Sequence, residues 1–222
     1  MVNAGAMQNY DVKTERKDLY GARRGDFVIV DVPPLQFLMI DGHGDPNTET
    51  SYREAVEALY TLSYAVRAVA KASLAKVHTV GPLEGLWSAD DLEVFRTRDK
   101  AAWDWTMMIV QPDWVDLELV EAARAAARKR AVAALELVLF ETYTEGTSVQ
   151  ILHVGSYDDE GPTLERLHGE FLPANGLVPS GRHHEIYLSD ARKVEPARLK
   201  TILRQPVAAG ARNPVERQTV GA

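Results

Sequence analysis

The chain has 222 residues, enough for one large domain or two small halves that share a core. Its 25 basic and 32 acidic residues give a formal net charge of −7, which argues against nucleic acid or an anionic membrane as a partner. It contains no cysteine, which excludes disulfides, thiolate nucleophiles and cysteine-ligated metals. No apolar run reaches the roughly 18 residues of a membrane span, and the N-terminus lacks the pattern of a secretion signal. We therefore predict a soluble, cytoplasmic protein.

In the first half, a polar arm over residues 1–25, which we expect to lie on the surface, precedes two strands, a long helix and two more strands. The helix is indicated by apolar residues at three-and-four spacing, and the strands by β-rich runs. A double proline separates the first two strands and marks a bend or a sheet edge. The predicted bounds are Phe27–Asp31, Leu35–Ile40, 52–74, Leu83–Ser88 and Ala101–Pro112.

In the second half, an alanine-rich helix over residues 116–130 has acidic residues early and basic residues late, as the helix dipole favours. A glycine turn at Gly146 then predicts a hairpin between two strands. A shorter helix, two strands and a flexible tail over residues 208–222 complete the chain. After the alanine-rich helix, the predicted bounds of the strands and the short helix are Leu137–Tyr143, Ser148–Val154, Thr163–Leu172, His184–Ser189 and Lys200–Gln205.

The order of these elements repeats. Strand, glycine turn, helix, strand, strand occurs from Leu35 to Gln111 and again from Ser148 to Gln205. We therefore predict an α+β fold in which two strand-helix-strand-strand modules form a single domain with pseudo-twofold symmetry. Each module would be an antiparallel sheet with a helix on one face, and a groove between the halves would be the ligand site. The domain would span residues 26–207, with modules at about 26–115 and 137–207 joined by the helix at 116–130.

The motifs of common enzymes are absent from the sequence. It has no nucleophile elbow, no phosphate-binding glycine loop, no dinucleotide-binding fingerprint and no zinc-protease helix. The densest histidine cluster, His183-His184-Glu185, places only two groups on one face of a strand, too few for a metal ion. We interpret the histidines as solvated or hydrogen-bonded, and predict neither a metal nor a cofactor.

Glu185 is the most informative charged residue because it lies inside a predicted strand. Ile186 and Leu188 fit the helix-covered core, which would leave Glu185 and Tyr187 on the opposite face of the sheet. Two alternatives remain open from periodicity alone. The glutamate is an ordinary charge on a solvated face, or it lies in the groove beside aromatic residues. In the groove it would need a cationic ligand or hydrogen-bond donors.

Aromatic and methionine side chains on the predicted strands are candidates for the walls of that groove. Such a stripe is more often part of a core. Strands covered on both faces could instead present it to flat, often cationic molecules, through stacking and cation–π attraction. The candidate ligand-binding residues are Glu185, Tyr187, Trp103, Trp105, Met107, Met39, Phe140, Tyr143 and His153.

A set of motifs spans about residues 26–207: PPLQFLMIDGHGDPN (33–47), 145–146, VQILHVGSYD (149–158), HHEIYLSD (183–190) and LKTILRQPV (199–207). These stretches resemble the GyrI-like small-molecule-binding proteins. The resemblance implies the two-module fold, a central groove for hydrophobic, aromatic and often cationic compounds, and a pocket glutamate at Glu185. It is closest to stand-alone members, which carry no DNA-binding helix-turn-helix.

Some stand-alone members hydrolyse the strained cyclopropane of cyclopropanoid DNA-alkylating natural products, so the resemblance implies this reaction as an expectation. Glu185 would position or deprotonate water, and Tyr143 or Tyr187 would donate a hydrogen bond to the carbonyl that becomes negative as the ring opens. The candidate catalytic residues are accordingly Glu185 and Tyr143. The alternatives are a non-catalytic multidrug-binding protein that sequesters or senses xenobiotics, and an inhibitor of another protein such as gyrase.

Overall fold

A computed structural model describes residues 9–91, 94, 97 and 99–210. Among these residues, none of the helices combines the length and the apolar character that crossing a membrane would require. The helices are α1 (Val12–Glu15), α2 (Lys17–Tyr20), α3 (Thr50–Ser73), α4 (Leu117–Ala127), α5 (Gly161–Arg166) and α6 (Leu172–Ala174), with a π-helical turn at Leu167–Phe171. The strands are β1 (Asn9–Tyr10), β2 (Val28–Val32), β3 (Leu35–His43), β4 (Val77–His78), β5 (Leu83–Ser88), β6 (Asp104–Gln111), β7 (Leu139–Tyr143), β8 (Gly146–Val154), β9 (Leu177–Pro179), β10 (His183–Tyr187) and β11 (Lys200–Ala209).

Eight of the strands form one continuous antiparallel sheet in the order β2-β8-β11-β10-β5-β6-β3-β7. One module is β3-α3-β5-β6 and the other is β8-α5-β10-β11, which confirms the predicted α+β arrangement. The expected two sheets are joined into one, because β5 and β10 pair with each other at the centre. Each is the first of these eight sheet strands to follow the helix of its module, and each satisfies the backbone groups that the other would leave open at an edge.

The hairpin predicted at Gly146 is wrong. β7 pairs with β3 at one edge of the sheet, whereas β8 pairs with β2 near the other edge. Val32 pairs with Gly146 and Leu35 with Tyr143, so the two ladders keep the same register on either side of the double-proline bend. The two modules therefore exchange neighbouring strands, and a local turn signal cannot reveal such an exchange.

The two faces of the sheet are covered by different parts of the chain. α3 and α4 cover one face, here called the helix face, where Met107 and Ile109 are fully buried. The second face holds Met39 and Ile186 and is covered by the N-terminal segment. The predicted place of Ile186 under the helices is therefore wrong. Alternation along β10 puts Glu185 on the helix face instead. Because both faces are covered, apolar character alone could not distinguish them.

The N-terminal segment, residues 9–22, packs into the fold and is not the surface arm that was expected. Leu19 and Tyr20 are buried at 0% and 3% exposure. The Tyr20 hydroxyl donates a hydrogen bond to Glu84 at 2.9 Å, and the Leu19 carbonyl accepts one from Arg204 at 2.7 Å. A segment this short shows no helical periodicity, and its composition is polar. The sequence therefore contains no sign that Leu19 and Tyr20 are buried.

At the other end of the chain, β11 is longer than predicted. It continues to Ala209 and pairs there with β9. The start of the expected flexible tail, residues 208 and 209, is therefore strand, and residues 211–222 lie outside the described part of the chain.

His78 is a buried histidine that makes the stability of the fold depend on pH. It lies on β4, the strand that pairs with β1 of the N-terminal segment. Its side chain is 1% exposed, and neither ring nitrogen has a hydrogen-bond partner among the described residues. Burial, with a smaller effect of the Arg67 charge, lowers the pKa of His78 to about 4 from an ordinary 6.5. The neutral ring therefore stabilises the fold above pH 6.5, and that contribution is lost as the pH falls toward 4.

We expect the free energy of unfolding of the unmodified protein to lose about 2 kcal/mol at His78 between pH 7.5 and pH 5. Replacing His78 with leucine removes the titrating group. The free energy of unfolding of the unmodified protein minus that of the variant should therefore be lower at pH 5 than at pH 7.5 by that amount. Urea denaturation at both pH values measures it. A difference that is the same at pH 7.5 and pH 5 would contradict the prediction.

Candidate functional site

Glu185 lies at the centre of the helix face, on β10 where the two modules meet. Its side chain is only 14% exposed. Its neighbour across the module boundary is Gly85 on β5. A Cβ atom on that glycine would lie 3.0 Å from Nε1 of Trp87 and 3.2 Å from the hydroxyl of Tyr187. The missing side chain thus leaves room for these two groups to approach each other beside the carboxylate.

Each carboxylate oxygen of Glu185 has a neighbour on the same strand. The Tyr187 hydroxyl donates a hydrogen bond to Oε2 at 2.8 Å, and Nε2 of His183 lies 3.5 Å from Oε1. Residues two apart on a strand share a face, which explains why these three side chains meet. The indole N–H of Trp87 donates to the Tyr187 hydroxyl at 3.1 Å. Burial and the Glu185 charge raise the pKa of Tyr187 well above its ordinary value, so the phenol keeps the proton that it donates.

Aromatic rings from both modules surround this carboxylate. The rings of Trp87 and Trp103 meet edge to face with centres 5.6 Å apart, and so do those of Tyr157 and Tyr187. Burial and the charge of Glu185 raise the pKa of Tyr157 to about 12 and move the pKa of Tyr52 upward as well. Both phenols are therefore neutral at pH 7. The site combines one carboxylate with a set of uncharged aromatic walls.

Three further residues of the predicted set lie on the helix face. Met107 is adjacent, with Sδ 3.3 Å from the position of a Cβ on Gly85. Trp105 lies deeper, 2% exposed, with its ring 5.2 Å from that of Tyr52. Nε2 of His153 donates to the carbonyl of Ser156 at 3.1 Å, which holds the turn that carries Tyr157. Trp105 and His153 therefore support the walls from behind.

Three other predicted residues are not brought to Glu185. Met39 and Tyr143 belong to the core of the second face. Phe140 lies on the edge strand β7, beside a groove of about 400 Å³ that borders α4. Tyr143, which the sequence suggested as a donor to the substrate carbonyl, therefore lies on the opposite face of the sheet from Glu185. Burial and the Glu145 charge raise the pKa of Tyr143, although Arg182, which donates to the phenol oxygen, lowers it.

The sequence reasoning missed the aromatic neighbours that lie closest to the carboxylate. Trp87 shares a strand face with Gly85, and that alternation was readable in the stretch LEGLWS. Tyr52 comes from the first turn of α3, and Tyr157 from the 3-10 turn Tyr157–Asp159 that follows β8. Their approach to Glu185 depends on the pairing of β5 with β10, for which no local signal exists.

His184, the neighbour of Glu185, points to the second face and joins a buried network of charges. Its Nδ1 donates to Glu145 and its Nε2 to Glu84, each at 3.0 Å, while Arg204 donates to Glu145 at 3.0 Å. All four side chains are at most 2% exposed. Burial lowers the pKa of His184, but the two carboxylates outweigh burial and the pKa is raised. Burial likewise opposes ionisation of Glu145, yet His184 and Arg204 hold its pKa at about 2.

The network is balanced, with two positive and two negative groups, and it is closed to solvent by the N-terminal segment. It lies directly behind the candidate site, on the other face of the sheet. Across the described ranges, no group of three or more histidine, aspartate or glutamate side chains is arranged to hold a metal ion.

Comparisons with known proteins support the family and the fold. Residues 25–208 match the family described as GyrI-like small molecule binding domain. An uncharacterized conserved protein from Listeria innocua is 38% identical, with a TM-score of 0.83, over 90% of this chain and 100% of that chain. A hydrolase from the same organism is 36% identical, with a TM-score of 0.78 and the same coverage. A comparison with curated proteins found no match.

More distant structures share the fold alone. The C-terminal domain of EcmrR is 13% identical, with a TM-score of 0.52, over 83% of this chain and 98% of that domain. EcmrR in complex with DNA is 14% identical, with a TM-score of 0.54, over 88% of this chain and 62% of that protein. Since a protein with this fold occurs in a DNA complex, the absence of a nucleic-acid partner stays a prediction from the net charge.

Proposed function

Since the chain belongs to the GyrI-like small-molecule-binding family, we propose that it binds planar, hydrophobic molecules between its two modules, with Glu185 as the anionic group of the site. The observation that carries this proposal is that the carboxylate is largely buried, at 14% exposure, and that no lysine or arginine among the described residues forms an ion pair with it. A buried negative charge in aromatic surroundings is stabilised by a positive ligand, which aromatic faces also attract.

The binding proposal predicts that loss of the Glu185 charge weakens a cationic dye. Titration of the protein with rhodamine 6G, followed by dye fluorescence, should give saturable binding. Glu185→Gln keeps the size of the side chain and should raise Kd about tenfold or more, equivalent to about 1.4 kcal/mol. Glu195→Gln removes the same charge from an exposed loop position and should leave Kd unchanged.

Thermal unfolding of both variants shows whether each is folded. Rhodamine 6G binding that is as tight to Glu185→Gln as to the unmodified protein would exclude Glu185 as the counter-ion. A drug-sequestering or drug-sensing protein would bind the dye without forming any product.

A second candidate function is hydrolysis; one comparison favours a hydrolytic activity, and the cyclopropanoid substrate is the one that the sequence resemblance implies. A hydrolase from Listeria innocua is 36% identical to this chain over its full length. In this reaction the oxygen of water bonds to a cyclopropane carbon while a ring C–C bond breaks. The electron pair of that bond moves through the conjugated system onto the carbonyl oxygen, and the proton of the water passes to Glu185.

The hydrogen bond from Tyr187 positions Oε2 of Glu185, so the phenol nearest the carboxylate is engaged with it. Tyr52 and Tyr157, both protonated at pH 7, are then the phenols that could donate to the carbonyl oxygen as it becomes negative. We assign to them the role that the sequence suggested for Tyr143 or Tyr187.

The hydrolytic candidate predicts a ring-opened product that has gained one water. Incubation with a cyclopropanoid alkylator, followed by mass spectrometry, should reveal it. Glu185→Gln should slow its formation at least a hundredfold if the carboxylate acts as the base. Equal rates for the two proteins would refute the catalytic role of Glu185. Saturable binding without a water adduct would leave the binding function alone.

A further inference from the structure

Lys100 is a residue of the first module that also contacts the second module, next to the aromatic side chains around Glu185. It begins the 3-10 turn Lys100–Ala102, which leads into Trp103 and β6. Its ammonium nitrogen is 5.7 Å from the centre of the Trp103 ring and 3.8 Å from Oδ1 of Asp158. The side chain is only 25% exposed. The positive charge is thus held between a tryptophan of the first module and an aspartate of the second.

The contacts of Lys100 lead to Glu185 by two routes. Trp103 meets Trp87, whose indole N–H donates to the Tyr187 hydroxyl. Asp158 follows Tyr157 in the chain, and the ring of Tyr157 meets that of Tyr187. Both routes end on the phenol that donates to Glu185. The ammonium and the carboxylate therefore belong to one cluster, with the positive charge at its Trp103 end.

We propose that Lys100 sets the charge preference of this site: it occupies one face of Trp103 as an internal cation and disfavours ligands that bring a positive charge to that end. This inference rests on the proposed binding function and specifies the ligand class. Favoured ligands are planar molecules that are neutral at the Trp103 end or carry an oxygen acceptor there, such as a conjugated carbonyl. An ammonium donates to such an oxygen, whereas it repels a second cation that stacks on the same ring.

Two fluorescent tricyclic dyes of nearly equal size test the proposal: proflavine, which is a cation at neutral pH, and acridone, which is neutral and carries a carbonyl. Lys100→Met removes the charge with little change in length and should tighten proflavine about three- to tenfold. The same variant should leave acridone unchanged or weaken it. Lys100→Arg keeps the charge and should keep the proflavine-to-acridone affinity ratio closer to that of the unmodified protein than Lys100→Met does.

The outcomes separate this inference from the function on which it rests. Saturable binding with a proflavine-to-acridone ratio that Lys100→Met does not change would overturn the role of Lys100 alone. Equal tightening of both dyes would also overturn it, because the lysine would then act only as a steric block. A lack of saturable binding of both dyes to all three proteins would contradict the proposed function as well.

Discussion

Replacing Arg204 with methionine is expected to lower the free energy of unfolding by about 3 to 5 kcal/mol. The guanidinium donates to Glu145, to the side chain of Gln150 and to the Leu19 carbonyl at 2.7–3.0 Å. Methionine fills similar space but leaves the Glu145 carboxylate and a main-chain oxygen buried with fewer donors. Urea denaturation at pH 7 measures the loss.

A matched surface variant distinguishes burial from charge. Arg192 forms an ion pair with Asp190 at 2.9 Å, but its side chain is 83% exposed. Arg192→Met should change the free energy of unfolding by no more than about 1 kcal/mol. Arg204→Lys, which keeps the charge but loses the forked donor geometry, should fall between the two. Similar losses for Arg204→Met and Arg192→Met would show that the buried network does not stabilise the fold.

Replacing Gly42 with alanine is expected to destabilise the protein by about 3 kcal/mol and to weaken ligand binding. Gly42 pairs with Trp105 across β3 and β6, and a Cβ atom there would overlap the indole ring. That ring is 2% exposed and meets the ring of Tyr52, so it has little freedom to move away. Any shift passes to Tyr52 and hence to a wall of the Glu185 site.

Gly169 is the control for this substitution. It lies in the π-helical turn, and a Cβ atom there would meet nothing within 4 Å. Gly169→Ala should therefore be neutral or stabilising by up to about 1 kcal/mol. Thermal denaturation and a rhodamine 6G titration of both variants provide the comparison. A Gly42→Ala variant with unchanged stability and affinity would mean that the Trp105 ring is not fixed in place.

Local patterns in the sequence were sufficient for the elements and for the main charged residue. The period of the apolar residues places the long helix, and the repeated order of elements predicts the two modules without any coordinates. Glu185 is conspicuous because a charge inside a β-rich run requires an explanation. Of the two positions left open by periodicity, the family resemblance favours the groove over a solvated face. The structure places Glu185 on the helix face, where the two modules meet.

The side chains that surround Glu185 could be identified only from the tertiary structure. Strand placement alone made Tyr143 a candidate, whereas in the structure β7 pairs with β3 and Tyr143 packs on the face of the sheet opposite Glu185. Trp87 reaches Tyr187, which is 100 residues away along the chain, only because β5 pairs with β10.

What the sequence by itself determined is the order of elements, the absence of cysteine chemistry and the presence of one unusual carboxylate. These depend on composition and on interactions between residues a few positions apart. The tertiary structure alone decided which strands pair, which face each side chain takes, and that Arg204 and His184 neutralise Glu145 behind the site. Strand pairing is chosen by contacts between distant segments. A side-chain period of two assigns residues to two faces but does not say which cover each face receives.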